Sequence, residues 1–324
     1  MKNISILLML ILVGMICNAQ EKVTVSTARD FVDAISSNKI IEISENSNLI
    51  LSDLPAGESG KYYKLNDVED GKSELVIMNV SNLTIKGLGT NKVKITTKPE
   101  YGEVLIFENC NNITIENIYA GHGPRKGLCS GGVFCFNNSK NIVINNCTMY
   151  GCGTCGIDGE NVTGLKCNNS EIKGCSYGIV GLIKYNNVEF NDCKFYDNVG
   201  IGDLFYISNC MNVKVTGCTI ENNTEADGEF SSLINAEKCI SVVFKNCRIE
   251  NNATQYLGKL SNSFTLENST LDNNDFKSLF DDGDSEKQNE EFLILPRFEN
   301  ENSNGGTIIF EYEDNGGLIL PDME

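Results

Sequence analysis

A basic loop is the first stretch of the sequence that could carry out chemistry. Residues 121–130 hold the only histidine of the chain, His122, and the basic pair Arg125 and Lys126. Such side chains can transfer protons in a reaction, as an arginine or lysine does when it removes a proton in lyase chemistry. A histidine flanked by glycines can equally be a hydrogen-bonded turn residue, so both interpretations of His122 stay open.

An acidic pair follows the basic loop. Asp158 and Glu160 are two positions apart, so on one strand their carboxylates share a face about 7 Å apart. A carboxylate pair can serve as acid and base in glycoside cleavage, and a carboxylate cluster can hold Ca²⁺, which neutralises a uronate. The alternative is that these carboxylates lie on a solvated face of the sheet and only keep the protein soluble. Further side chains expected to bind substrate beside the pair are Tyr177, Asp203, Tyr206 and Asn235.

The 14 cysteines need a separate interpretation. Cys152 and Cys175 occupy equivalent positions of neighbouring repeats, so their Cα atoms should lie about 5 Å apart, within disulfide range. Cys129 and Cys155 are alternative partners. A zinc site or a redox role at Cys152 and Cys155 is disfavoured, because no second ligand pair with suitable spacing accompanies them.

An internal repeat supplies the elements that must position these residues. A phrase of alternating apolar and polar residues recurs, as in Asn82–Gly87, Asn112–Asn117 and Asn141–Asn146. Weaker or later copies begin at residues 164, 187, 212, 241 and 263. This alternation is the period of a half-buried strand, and the copies recur every 22 to 30 residues. The repeat therefore predicts a solenoid.

Each repeat is expected to contain three short strands. After the phrase comes a column of small side chains, mostly Cys and Ser, and then a second strand marked by Thr90, Ala120 and their equivalents. A third strand precedes each phrase, with an inward pair such as Tyr256 and Gly258 in the last repeat. Three strands per rung, over about eight or more rungs, predict an all-β, single-stranded, right-handed parallel β-helix.

Asparagine and glycine dominate the corner at the end of the phrase, as at Asn117 and Asn146. Both residue types tolerate the left-handed backbone of a sharp bend. Stacked Asn amides about 4.8 Å apart can also form a ladder from rung to rung. Several of these residues lie in glycosylation sequons, and an Asn locked in a ladder could not carry a glycan. This favours a bacterial protein.

The sequence divides into three parts. Residues 1–19 resemble a signal peptide, with Lys2 before an apolar run, and lipid attachment at Cys17 is disfavoured because Ile16 precedes it. Residues 20–274 should form the β-helix, with a helical cap from Ser26 to Asn38. Residues 275–324 carry 14 acidic against 3 basic side chains and are expected to form an acidic C-terminal capping segment.

The formal net charge of −18 limits the partners of the chain. An acidic protein without a basic stripe is a poor binder of nucleic acid or of an anionic membrane. It would also repel an acidic polysaccharide unless a local basic site or a bound cation intervened. No other stretch is long enough to span a membrane. We expect a monomer that is secreted, periplasmic or at the cell surface.

With these repeats, the chain resembles the right-handed parallel β-helix proteins of the pectate-lyase-like superfamily over roughly residues 22–274. The resemblance implies a ligand along the outer face of one sheet, flanked by long corner loops. Gly121-His122-Gly123 is similar to the Gly-His-Gly of polygalacturonase-like hydrolases, but the acidic motifs that precede it there are missing here. The superfamily holds lyases, hydrolases, esterases, epimerases and non-catalytic surface proteins, so fold alone leaves the activity open.

Two functions therefore stay open at this stage. The first is that the protein binds or modifies an extracellular polysaccharide in a lyase-like or hydrolase-like groove, with Ca²⁺ as the candidate cofactor. It predicts that the basic loop faces Asp158, Glu160 or Asp203 across that groove. The alternative is a non-catalytic surface or envelope protein that binds a glycan, or has a structural role, through a flat sheet.

Overall fold

The computed structural model describes residues 20–226, 231–259 and 264–281, together with two short strands, Arg297–Glu299 and Thr307–Ile309. Within these ranges the chain coils into a parallel β-solenoid whose successive turns stack strand on strand. Each turn contributes to three sheets, which we number in the order in which the chain visits them. The predicted all-β parallel β-helix is confirmed.

Sheet 1 holds the strands that precede the repeat phrase: Lys72–Met78, Leu105–Glu108, Phe134–Asn137, Phe205–Ser208, Ser232–Glu237, Ala253–Lys259 and Asp275–Asp281. Sheet 2 holds the phrase strands: Glu21–Val25, Lys39–Ile43, Ser81–Gly87, Asn111–Glu116, Lys140–Asn145, Met211–Thr216, Ile240–Lys245 and Thr265–Glu267. Two long strands run through both sheets, Ile157–Asn168 and Val180–Asn191.

Sheet 3 follows the corner and contains nine strands within the described residues. They are Asn48–Ile50, Val93–Thr97, Ile118–His122, Thr148–Tyr150, Glu171–Lys173, Lys194–Tyr196, Thr219–Glu221, Arg248–Glu250 and Thr270–Asp272. Two-residue strands at Val199–Gly200 and Thr224–Glu225 lead back towards sheet 1. Strand Tyr63–Glu69 folds back antiparallel on the first strand of sheet 1 and makes a hairpin at its edge.

Alternation along each strand builds the core. Inward side chains from all three sheets are buried, except that Leu271 and Phe276 near the C-terminal end are only partly buried. Phe107 and Phe136, neighbours in sheet 1, have ring centroids 5.1 Å apart. A run of edge-to-face ring pairs, which such side chains favour, continues through the later turns: Phe190, Phe195, Phe205, Phe244 and Phe264.

Asparagines make the corners, as predicted. Asn117 and Asn146 have φ angles of 58° and 50°, in the left-handed region, and the amide of Asn146 donates to Asn117 Oδ1 at 3.0 Å. A second ladder, which the sequence reasoning missed, is buried between sheet 3 and sheet 1. Its members hydrogen-bond to one another from turn to turn: Asn198, Asn223, Asn252 and Asn274.

The predicted register fails at two places. The sheet 3 residue equivalent to Ala120 is Ile95, not Thr90, because residues 88–92 form an insertion before the strand. In the last turn Gly258 pairs with Ile234, so the predicted assignment of Tyr256 is shifted by two positions. A shift of two keeps each side chain on the same face, so alternation alone could not detect it.

The ends differ in part from the prediction. The cap helix Ala28–Asp33 begins after Thr27, whose Oγ1 accepts from the amide of Asp30, and it ends before Asn38. Sheet 1 continues past residue 274 through strand Asp275–Asp281. Thr307–Ile309 pairs antiparallel with Thr265–Glu267 at the end of sheet 2. The predicted signal peptide and most of the acidic segment lie outside the described residues.

Candidate functional site

Two rows of side chains at the start of the sheet 1 strands are of interest, one just before the strands and one on their outer face. The first row lies two positions before the first inward residue of each strand: Glu103, Gly132, Cys155, Gly178, Asp203 and Ser232. The second row follows that inward residue, in paired register: Ile106, Cys135, Asp158, Gly181, Tyr206 and Asn235. Acids, thiols and glycines thus collect where a flat sheet face would otherwise carry larger side chains.

Glu103 is the most unusual residue of these rows, because only 9% of it is exposed and no cation pairs with it among the described residues. Its backbone amide donates to Glu74 Oε2 at 2.8 Å, but its own Oε2 has no hydrogen-bond partner. Burial raises the pKa of Glu103 well above its ordinary value, and the nearby carboxylates of Asp158 and Glu74 raise it further. Glu103 therefore keeps its proton more readily than a free glutamate.

Asp158 faces the same space from two turns further along. Its Oδ1 is shielded from solvent and has no partner. Burial raises its pKa from 3.8 to about 6, although the approach of Cys135 and Thr154 moderates the rise. The charge of Asp158 is one of those that favour the protonated form of Glu103. Asp158 as a whole is half-buried, and each of the two acids keeps one shielded oxygen without a partner.

Glycines make the room for this pair. A Cβ built on Gly132 would overlap the carboxylate of Glu103, so that carboxylate lies across the next turn towards Asp158. A Cβ on Gly181 would lie 3.5 Å from Asp158 Cβ and 3.6 Å from Cys155 Sγ. We call this space the carboxyl recess and define it by Glu103, Cys135, Cys155, Asp158 and the glycines Gly132, Gly178 and Gly181.

The basic loop does not face the acidic pair. Nε2 of His122, which is 4% exposed, lies 2.8 Å from the carbonyl of Gly102 and donates to it. Arg125 pairs with Glu100 at 2.9 Å. Burial lowers the pKa of His122 and of Lys126. His122 and Arg125 thus fasten the loop to the segment just before Glu103, and no contact joins either of them to Asp158.

A groove lies beside the hairpin at the N-terminal end of sheet 1. It has a volume of about 820 Å³ and lies between the sheet 1 hairpin and the loops that carry Tyr101 and Ser130. Glu74, whose Oε2 accepts the amide of Glu103, is part of its wall. Tyr101 is 45% exposed beside it. Glu74 thus links the wall of the groove to the backbone of Glu103.

The predicted substrate-binding residues separate into two groups. Asp203 is held by Lys259 at 2.9 Å and by the amide of Asn235 at 2.6 Å, so it belongs to a network within the fold. Its hydrogen bonds and Lys259 lower its pKa although burial opposes them. Tyr206 is half-buried, and Tyr177 is 38% exposed. Glu160 is exposed on the row beside Asp158.

The cysteines are mainly structural. The structure joins Cys152 and Cys175 in a disulfide with Cα atoms 4.5 Å apart. Other described cysteines are free. Burial raises the pKa of Cys110 to about 11 and of Cys147 to about 12, so these thiols stay protonated at neutral pH and are poor nucleophiles.

A metal site does not emerge from the described part of the chain, where no group of three His, Cys, Asp or Glu side chains could hold an ion. The expected Ca²⁺ therefore gains no support from a ligand set there. No helix in the described ranges is long and apolar enough to cross a membrane.

Glu103 is the residue that sequence reasoning missed. It precedes its strand, and its partner Asp158 lies 55 positions away, so no local pattern links them. The signal that could have found it is the composition of its row, in which acids and a cysteine alternate with glycines. Aligning the turns on their inward residues exposes that row.

Comparisons with known proteins agree with this architecture. The family model for a right-handed β-helix region matches residues 22–205. No curated protein sequence gives a significant match. A pectate lyase from Paenibacillus sp. 0602 is similar in structure, with a TM-score of 0.55 and 12% identity over 94% of this chain and 86% of that one. At this identity the likeness extends to the fold alone.

Two further solved structures match less closely. Pectate lyase II from Xanthomonas campestris has a TM-score of 0.42 and 15% identity, over 80% of this chain and 79% of that one. The surface adhesin PfbA of Streptococcus pneumoniae has a TM-score of 0.33 and 13% identity, over 81% and 80%.

Proposed function

The chain belongs to the family of proteins with a right-handed β-helix region, and from this premise we propose that it binds an extracellular polysaccharide across sheet 1 and cleaves it at the carboxyl recess. The observation that carries the proposal is the pair Glu103 and Asp158. Both acids are shielded, no cation among the described residues neutralises them, and each has an oxygen without a partner. An arrangement that costs stability in this way is typical of a functional site.

The two carboxyl groups have different environments, which suit them to different roles in the reaction. Glu103 is more deeply buried and its pKa is raised by two neighbouring carboxylates, so it holds a proton and can donate it to a glycosidic oxygen. Asp158, with a pKa of about 6, is ionised at neutral pH and can attack the sugar or activate a water molecule. One acid and one base thus stand in a single recess.

The remaining predicted residues take supporting roles in this proposal. His122 and Arg125 hold the segment that ends at Glu103, so they act as positioning residues. Glu160 and Tyr206 lie on the sheet 1 face beside the recess, and Tyr177 on a loop next to it, where they can contact sugar units. Asp203 and Asn235 stabilise the same face of sheet 1, because Asp203 pairs with Lys259 and accepts a hydrogen bond from the amide of Asn235.

The experiment is a polysaccharide panel assay on residues 20–324, measuring both new reducing ends and the ultraviolet absorbance of unsaturated uronate. Reducing ends without absorbance, lost in Glu103→Gln and Asp158→Asn, are the expected result. Asp272→Asn is the matched control, because that carboxylate is exposed on sheet 3, away from the recess. Activity should fall below about pH 6 as Asp158 gains a proton.

Other outcomes of this assay would overturn the proposal. Absorbance that accompanies the new ends would indicate a lyase, in which a base removes a proton from the sugar. Absence of cleavage across the panel, from a protein shown to be folded, would indicate a non-catalytic binding or structural protein of the cell surface.

A further inference from the structure

Sheet 3 carries a patch of aromatic and basic side chains that the recess does not use. Two outward rows form it, in paired register across neighbouring strands. One row reads Lys94, Tyr119, Thr148, Glu171 and Lys194. The other reads Gly121, Tyr150, Lys173 and Tyr196. We call these residues, with Lys92 at the edge, the tyrosine–lysine patch. At about 4.8 Å between strands it extends for roughly 19 Å along the solenoid.

The rings of the patch lie in contact on the sheet. Tyr119 and Tyr150 have centroids 4.3 Å apart, with 34° between their planes. A Cβ on Gly121 would overlap the ring of Tyr150, so this ring covers the backbone of the neighbouring strand. Because Gly121 has no side chain, the ring of Tyr150 can lie flat against the sheet. A larger residue at position 121 would push this ring away from the sheet. The result is an aromatic surface that lies close to the sheet and is still partly open to solvent.

Lysines surround this surface. Lys173 Nζ lies 5.9 Å from the centroid of Tyr119 and 5.3 Å from that of Tyr196. Lys92 pairs with Glu171 at 3.4 Å, but Lys94 and Lys194 are exposed and make no ion pair within the described ranges. Four lysines against one glutamate give the patch a local charge of +3 (4 − 1), although the whole chain carries −18.

We infer that the tyrosine–lysine patch is a docking site for an acidic polysaccharide, such as a chain of uronate sugars. Flat rings present a face on which the apolar side of a sugar ring can stack, and the lysines between them attract carboxylates. The composition of the chain excludes an acidic polysaccharide unless a local basic site exists, and sheet 3 supplies that site. The positive charges of the patch therefore favour an acidic polysaccharide as its ligand.

Charge density argues against nucleic acid as the ligand. A net of three positive charges is small for a polymer with one phosphate per nucleotide, and the protein around it is strongly negative. A uronate chain carries its charges further apart and offers a face for each ring. The patch lies on a different sheet from the recess, so this inference does not rest on the proposed reaction.

The test measures calorimetric binding of galacturonate oligomers to residues 20–324, in low salt and in 0.5 M salt. Glu103→Gln is measured beside the wild type so that cleavage cannot consume the oligomer. We expect Tyr150→Ala and Lys173→Gln each to weaken binding by about fivefold or more, and salt to weaken wild-type binding. The matched control is Lys214→Gln, which removes an exposed lysine from sheet 2.

Specific results would overturn the inference. Equal binding by Lys173→Gln, Lys214→Gln and the wild type would show that the patch plays no part. Equal affinity for carboxyl-reduced oligomers would remove the role of charge, and tighter binding of single-stranded DNA would assign the patch to nucleic acid. If Tyr150→Ala misfolds, Lys173→Gln decides alone. Loss of cleavage in Glu103→Gln with unchanged binding would support both proposals separately.

Discussion

Replacing Asp158 by asparagine should make the protein more stable at neutral pH, because the folded state then no longer has to hold a shielded carboxylate. The pKa of Asp158 rises from 3.8 to about 6 on folding. At about 1.4 kcal/mol per pH unit, the ionised form costs about 3 kcal/mol of stability. Since the folded pKa is the higher one, this cost is complete above pH 6, shrinks as the pH falls, and disappears below pH 3.8.

The assay is thermal unfolding followed by circular dichroism between pH 4 and pH 8. For a chain of this size, about 3 kcal/mol corresponds to roughly 6 °C in Tm, so Asp158→Asn should unfold that much higher than the wild type at pH 8. The two proteins should converge near pH 4. Glu160→Gln, on the same strand, should follow the wild type throughout. A stabilisation independent of pH, or a destabilised Asp158→Asn at pH 8, would refute the buried-carboxylate interpretation.

Three further predictions concern the supporting structure. His122→Ala removes the hydrogen bond that fastens the basic loop, and Tm should fall by the equivalent of about 1–3 kcal/mol; an unchanged Tm would exclude a positioning role. Replacing Cys152 and Cys175 by serine releases a disulfide with a sequence separation of 23, and denaturant unfolding should show a loss of about 3 kcal/mol; no loss would show that the bond is absent. Asn223→Ala interrupts the buried ladder and should cost about 2–4 kcal/mol. Asn191→Ala, which removes a half-buried hydrogen bond from the Asn191 amide to Asn168 Oδ1, should cost much less, and equal costs would contradict the ladder argument.

The solenoid could be predicted from the sequence because its signals are local. Alternation within one phrase determines which side chains of a strand are buried, and a glycine or asparagine at the next position determines the bend. Asn117 and Asn146 therefore appear in the structure as predicted. The failures at Thr90 and Tyr256 have one cause, since insertions of different length between strands change the register without changing the alternation.

The functional surfaces could be predicted only in part for the same reason. Asp158 was found because it sits inside a strand, whereas its partner Glu103 lies before one and two turns away. The tyrosine–lysine patch was missed because Lys94 and Tyr119 become neighbours only once the insertion before Lys94 is placed. The side chains of the basic loop bind a backbone carbonyl and an acid of their own neighbourhood, which composition cannot show.

The central claim, that Glu103 and Asp158 cleave a glycan in the carboxyl recess, is tested most directly by measuring binding and cleavage of one oligosaccharide on the same samples. Mass spectrometry of the products gives cleavage, and calorimetry gives affinity. Glu103→Gln should bind as tightly as the wild type and release fragments at least about a hundredfold more slowly, because it lacks the proton donor. Fragments released at the wild-type rate by both Glu103→Gln and Asp158→Asn would contradict the account.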